Sequence, residues 1–279
     1  MAHATAVPSH CPRRPALLLL GSALCSAGAA RAQDETGSPA RPVRVGVTAG
    51  PHARVMERVR EILARAGGPA LTVVEFSDYN RPNAALAAGE LDANSYQHQP
   101  FLDQQVRDRG FAIVSVARTL VFPMGVYSRR HRSLADVPDG GSVAIPDDPA
   151  NGGRALALLA ASGALRLRDG AGFRAAVADI AENPRRLRVA GMDAARLPVA
   201  LDEVDAAAIN SNYAIAAGLN PVRDAIALER GESAFANVIA VRRGDEGAPW
   251  LRRLVAAYHT EEVRAFVRDA FGGSAVPAF

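Results

Sequence analysis

The chain has 279 residues, 49% hydrophobic and 22% charged, which is enough apolar material for two lobes with real cores and the wrong balance for a disordered chain. Its formal charge of +3 resides in Arg13, Arg14 and Arg31; beyond residue 32 there are 29 basic and 29 acidic residues, which argues against nucleic acid or an anionic membrane surface as partner. Every basic residue is Arg and none is Lys, a bias of composition rather than a binding signal.

At the N-terminus, Arg13 and Arg14 precede an apolar stretch from Ala16 to about Ala30, and Ala30-Arg31-Ala32 has the form of a signal-peptidase site. Residues 1–32 therefore read as a secretory signal, with a mature periplasmic chain starting at Gln33. The stretch is too short and too rich in small residues for a spanning helix, which needs ~20 residues. Both cysteines, Cys11 and Cys25, lie before that cut, so the mature chain has neither disulfide nor thiol chemistry. The alternative is lipid attachment at Cys25 and a membrane-anchored protein, although Leu24 precedes it where a small residue is usual.

Residues 33–41, polar and rich in Pro and Gly, read as a linker. Val43 to Val47 has strand period. Pro51 suits a first helical position; Val55, Met56, Val59, Ile62 and Leu63 follow at helical spacing, and Gly67-Gly68 ends the helix. A strand is expected over 71–76, a short helix over 83–89, the end of another helix over 102–110 and a strand over 111–116. A second such run starts near Ser133: a strand over 142–145, a helix over 154–162 closed by Gly163, and strands over 187–189 and 205–209. A strand over 237–241 and two helices from about Trp250 end the chain. Repeated β-α-β order predicts an α/β fold with mainly parallel sheets.

Several segments together resemble the NlpA/MetQ family of methionine-binding lipoproteins. They include Phe76-Ser77-Asp78-Tyr79, Leu91-Asp92-Ala93-Asn94, Tyr96-Gln97-His98-Gln99-Pro100-Phe101-Leu102, Ala144 to Pro149, Gly153-Arg154-Ala155-Leu156, Glu182-Asn183-Pro184 and Ala208-Ile209-Asn210. The resemblance runs from about residue 43 to the C-terminus. It implies a two-lobed type II periplasmic-binding-protein fold with two crossovers, here divided as lobe I over 42–131 and 234–279 and lobe II over 132–233. It also implies methionine as ligand and the permease and ATPase of an ABC importer as partners.

A free amino acid presents a carboxylate, an ammonium and a side chain. Arg154 is the candidate for the carboxylate: it begins the expected helix, behind Asn151-Gly152-Gly153, where glycines let backbone approach a ligand and the helix N-terminus offers free N–H groups. Asn151 belongs to the same candidate set. Asn210, ending an apolar strand, and Asn237, beside the return crossover, are candidates for the remaining head-group contacts. Tyr79, Tyr96, His98 and Phe101 are candidates for a side-chain pocket, since a thioether packs well at aromatic edges. Asn94 is expected to face the same cleft, and Phe122-Pro123-Met124 brings an extra thioether near it.

No cofactor motif, Walker loop, G-x-S-x-G elbow or metal-ligand spacing among His52, His98, His131 and His259 is present. Asp147-Asp148 reads as loop and Glu261-Glu262 as helix N-terminal charge rather than a catalytic pair. The reading is thus a non-enzymatic solute-binding protein. Another amino acid or a short Met-containing peptide as ligand, a surface interaction lipoprotein, and an enzyme on a borrowed fold remain the rivals.

Overall fold

A computed structural model describes residue 3 and residues 36–230 and 233–279. Apart from residue 3, the expected signal segment, with its cleavage site and Cys25, lies outside the described residues. The described part of the expected linker is a tight turn, closed by Gly37 N to Arg41 O at 2.7 Å and docked on the body through Ala70 N to Gly37 O, also 2.7 Å.

The chain builds two five-stranded sheets in succession. Strands β1 (Val43–Thr48), β2 (Leu71–Phe76), β3 (Ala93–His98) and β4 (Ile113–Arg118) alternate with helices α1 (Pro51–Arg65), α2 (Arg81–Ala87) and α3 (Gln99–Arg109). Next come β5 (Leu120–Val121), β6 (Gly125–Tyr127), β7 (Ser142–Pro146), α4 (Pro149–Ala161), β8 (Arg166–Leu167), β9 (Ile180–Glu182) and β10 (Arg188–Met192). Helix α5 (Leu197–Ala200), β11 (Ala206–Ile209), α6 (Ser211–Ala216), α7 (Pro221–Asp224) and β12 (Ala227–Leu228) complete the second unit. Strand β13 (Asn237–Arg242), α8 (Pro249–Tyr258), α9 (Glu261–Phe271) and β14 (Val276–Pro277) return to the first.

The first sheet has the order β2-β1-β3-β13-β4 and the second β10-β7-β11-β6-β12. β1 runs parallel to β2 and β3, whereas β13 enters antiparallel between β3 and β4. That insertion by the last long strand is what makes the fold two-lobed with two crossovers, the type II arrangement expected. The first crossover falls at Phe122–Met124, because β6 already pairs with β11 and β12. Residues 125–127 therefore pair in the second sheet, inside the span 42–131 expected for lobe I.

Each lobe has its own core. In the first, Val45, Val47 and Ile239 cluster with Val55, Met56 and Val59 of α1; in the second, Val126, Val143 and Ala208 cluster with Leu156 and Leu159 of α4. The apolar spacing read along α1 is the buried stripe that meets this sheet. Met124 is fully buried in the second core, so its thioether is packing material and does not reach the cleft. At Glu261-Glu262 the carboxylates occupy the first turn of α9, whose N-cap Thr260 accepts from Val263 N, as helix charge placement predicts.

Helix α4 begins at Pro149, five residues before Arg154, so Asn151-Gly152-Gly153 is its first turn and not a loop. Its glycines serve packing within the lobe. A Cβ at Gly153 would stand 2.3 Å from the Phe173 carbonyl oxygen, and one at Gly152 2.8 Å from that of Pro146. The expected approach of backbone to ligand is replaced by approach of backbone to backbone.

Candidate functional site

Between the lobes, at the C-terminal ends of β3 and β11, lies a cavity of about 20 Å³. That volume holds roughly one water, so a larger solute must part the lobes to enter. Its lining includes Tyr79, Tyr96, His98, Phe101, Asn151, Arg154, Asn210 and Asn237, bringing together eight of the nine candidate residues. Asn94 is the exception. It lies four residues before the end of β3, about 13 Å back along the strand, and its amide bonds Asn83 at 2.8 Å and receives Gln97 at 3.0 Å. Its role is to complete a buried amide cluster behind the cavity. Gln97, Phe122, Ser211 and Asn212 line the cavity in addition. Ser211 and Asn212 follow directly on Asn210, so the polar run closing an apolar strand was the available signal.

The first lobe supplies an aromatic wall. Tyr79 is its hub, with ring centroids 6.0 Å from Tyr96 and 5.8 Å from Phe101, the latter edge-on. The Tyr96 hydroxyl donates to the Tyr79 carbonyl at 2.9 Å and fixes the loop that carries it. Asn237 stands at the start of β13, on the same lobe. Its Nδ2 donates to His52 Nε2 at 2.7 Å, so the His52 proton sits on Nδ1 and is donated to Thr48 Oγ1 at 2.8 Å. Burial holds the His52 imidazole down to about 3, keeping it neutral and able to accept. This relay fixes the Asn237 amide; no sequence pattern pointed to His52.

The second lobe supplies a polar wall. Asp148 caps α4 by accepting from Asn151 N at 2.8 Å, and it also receives the Asn151 side-chain amide at 2.9 Å. Asp148 is thus an N-cap rather than plain loop. Burial raises its carboxyl above the usual carboxylate range, against the pull of those bonds. Asn151 Oδ1 then faces the cavity and accepts from Asn210 Nδ2 at 2.8 Å. The free helix N–H groups expected for an anion are already engaged: Ala150 N with Gln104 Oε1, Asn151 N with Asp148 Oδ1, and Gly152 N with the Asp148 carbonyl. Arg154 is the cation that lines this wall.

Arg154 is 3% exposed and heavily engaged. Its Nε reaches the two carboxylate oxygens of Glu229 at 3.0 and 3.2 Å, and Nη2 donates to Glu229 Oε2 and, at 2.9 Å, to the Phe122 carbonyl. The guanidinium lies 4.1 Å over the Phe235 ring, a cation–π contact. Glu229 was not legible as a site residue: it is 75 positions from Arg154, in a short segment without periodic signal.

The walls meet directly. His98 accepts Phe101 N at its Nδ1, which leaves the proton on Nε2 to be donated across the cleft to Asn151 Oδ1 at 3.0 Å. Burial, reinforced by the nearby Arg154 charge, holds its imidazole at about 3. Tyr79 OH donates to Asn212 Oδ1 at 2.5 Å, and the Tyr213 ring lies 4.8 Å from that of Tyr79. Among the described residues lining the cavity, two buried polar atoms remain without a hydrogen-bond partner, Asn210 Oδ1 and Asn212 Nδ2. An unpaired acceptor and an unpaired donor beside one cavity are what a site built for a polar ligand leaves open.

The NlpA lipoprotein family profile matches residues 43–279. The D-methionine-binding lipoprotein MetQ of Escherichia coli is 39% identical over 236 residues, 84% of this chain and 87% of that one. A nutrient-binding protein from Burkholderia cenocepacia, solved bound to methionine, is 49% identical with a TM-score of 0.83, covering 85% of this chain and all of that one. Lipoprotein Tp32 of Treponema pallidum is 39% identical with a TM-score of 0.81, covering 85% and 98%.

Proposed function

The chain belongs to the NlpA lipoprotein family, and from that premise we propose that it is an extracytoplasmic solute-binding protein that closes on one methionine and delivers it to the permease and ATPase of an ABC importer. The observation that carries the reading is the division of labour across the cavity. Tyr79, Tyr96 and Phe101 offer ring edges to a thioether, while Arg154, Asn210 and Asn237 offer charge and amides to an amino-acid head group. Lobe closure is the working step, since side chains of both lobes bond directly to one another across the cleft. Binding and release, not bond making, is the activity this arrangement supports.

The test is mass spectrometry of whatever is released when the purified protein is denatured, followed by calorimetry on the stripped protein. Release of methionine, and rebinding of it, are expected. Release of another solute together with no methionine binding would overturn the assignment. Intact mass addresses the anchor. A chain starting at Gln33 supports export with cleavage after Ala32, whereas a diacylated chain starting at Cys25 makes it a surface lipoprotein, as its relatives are named.

A further inference from the structure

We propose that Glu229 sets the charge class of the ligand, so that the site admits net-neutral zwitterions and rejects net anions; this rests on the amino-acid reading above. Arg154 is the one permanent cation among the described residues lining the cavity. Glu229 does not line it. It sits behind Arg154, and its carboxylate takes Nε on both oxygens and Nη2 on one. An opposite charge at this distance, in a water-poor interior, cancels most of the field the guanidinium would project into the cavity.

Glu229 also has no freedom to swing away. Its Oε2 accepts Met124 N at 3.0 Å and its own N–H donates to the Met124 carbonyl at 2.9 Å, which pins it to the crossover between the lobes. A second carboxyl, Asp148, stands on the same wall, accepting from the Asn151 backbone and side-chain amides and in no ion pair among the described residues. The polar wall therefore offers directed donors without surplus positive charge. A ligand carboxylate entering it alone would be a buried charge without full compensation, which is costly. A ligand that brings its own ammonium cancels that charge, and the unpartnered Asn210 Oδ1 is an acceptor available for it. Glu229 is thus a positioning residue that acts through Arg154: it orients the fork and removes the fork's net charge.

The experiment is a competition titration of stripped protein at pH 7 with methionine and with its deaminated analogue, 4-(methylthio)butanoate, on wild type, Glu229→Gln and Glu229→Asp. Wild type is expected to bind the butanoate at least ~100-fold more weakly than methionine, and Glu229→Gln to narrow that ratio at least ~10-fold by restoring positive charge at Arg154. Glu229→Asp, which keeps the charge, should weaken both ligands and hold the ratio within ~3-fold. A merely structural role would weaken both ligands equally in the Gln variant and leave the ratio unchanged, which overturns the proposal. A wild-type ratio below ~10-fold overturns it whether or not the Gln variant folds. Absence of methionine binding to wild type is a separate outcome, and it sinks the amino-acid reading on which the proposal stands.

Discussion

The two walls of the cavity solve different physical problems. The first lobe presents Tyr79, Tyr96 and Phe101, whose rings pack against one another before any ligand arrives. The second presents Asn151, Arg154 and Asn210, each held by a hydrogen bond to a residue behind it or beside it. Aromatic packing is tolerant of small changes in shape, while a buried polar wall is not, because any unmade hydrogen bond there costs about 1–3 kcal/mol. The polar wall should therefore dominate affinity and the aromatic wall should tune selectivity. The residues where the walls touch should govern how closure depends on conditions.

Breaking the polar wall should give the largest effect. Arg154→Ala should cost about 2–4 kcal/mol of methionine binding, since a desolvated carboxylate loses its partner. The same change strands Glu229, itself 11% exposed in its side chain, so the unliganded protein should also lose about 3–5 kcal/mol of stability. Arg154→Lys should recover little, because a point charge cannot span both Glu229 oxygens and the Phe122 carbonyl. Calorimetry together with denaturant unfolding reads both quantities. Affinity near wild type in the Ala variant would mean that the amides of Asn210 and Asn237 carry the head group unaided.

Protonation should loosen the first wall at His52 and the contact between the walls at His98. His52 and His98 are both held at about 3 in the folded protein, against 6.5 for the free side chain. For a histidine with a depressed folded value, the unfolded chain binds more protons between those limits. Stability is thus fully present above about 6.5 and is lost as pH falls toward 3, by roughly 1 kcal/mol per pH unit for each histidine. Asp148, whose carboxyl is raised, works in the opposite direction and softens the slope. Unfolding curves at pH 7, 6 and 5 should show the loss, and His98→Gln should remove about half of the histidine contribution. A pH-independent midpoint over that span would contradict neutral, buried imidazoles at the cleft.

What was legible in the sequence follows the same physics. Strand β1 and helix α1 declare themselves by apolar spacing, because each buries one stripe against a core. Strand β3, which carries Tyr96 and His98, was not expected as a strand. Its six residues, Ala-Asn-Ser-Tyr-Gln-His, show no apolar alternation, yet all are buried. They are buried because Asn83, Asn94 and Gln97 satisfy one another's amides, a pairing that only the fold brings together. The polar content that hides the strand is also what misplaced Asn94 in the cleft. Glycines 152 and 153 misled for a related reason, since a need for close backbone approach reads the same whether the neighbour is a ligand or Phe173. Asn210 was legible because an amide ends an apolar strand there, and Tyr96, His98 and Phe101 because three rings fall within six residues. Glu229 and His52 were not, being partners that exist only through tertiary contact.

The aromatic wall should yield the smallest and most discriminating effect. Norleucine replaces the methionine sulfur by a methylene with little change of shape, so a merely apolar slot should hold the two with nearly equal affinity. Sulfur at an aromatic edge gains about 0.3–1.5 kcal/mol per contact, and the Tyr79, Tyr96 and Phe101 rings present edges to one another at 5.8–6.3 Å, around the space where a side chain would lie. Methionine should therefore bind at least ~10-fold more tightly than norleucine, about 1.4 kcal/mol. Phe101→Leu keeps the volume apolar while removing one edge, so the gap should narrow to about 3-fold, with methionine affinity itself falling by less than about 1.5 kcal/mol. Competition titration of both ligands on wild type and variant reads the gap directly. Equal affinity for the two in wild type would show that the aromatic wall reads shape alone. Selectivity would then have to come from the second lobe, where Asn212 Nδ2 is the buried donor still without a partner.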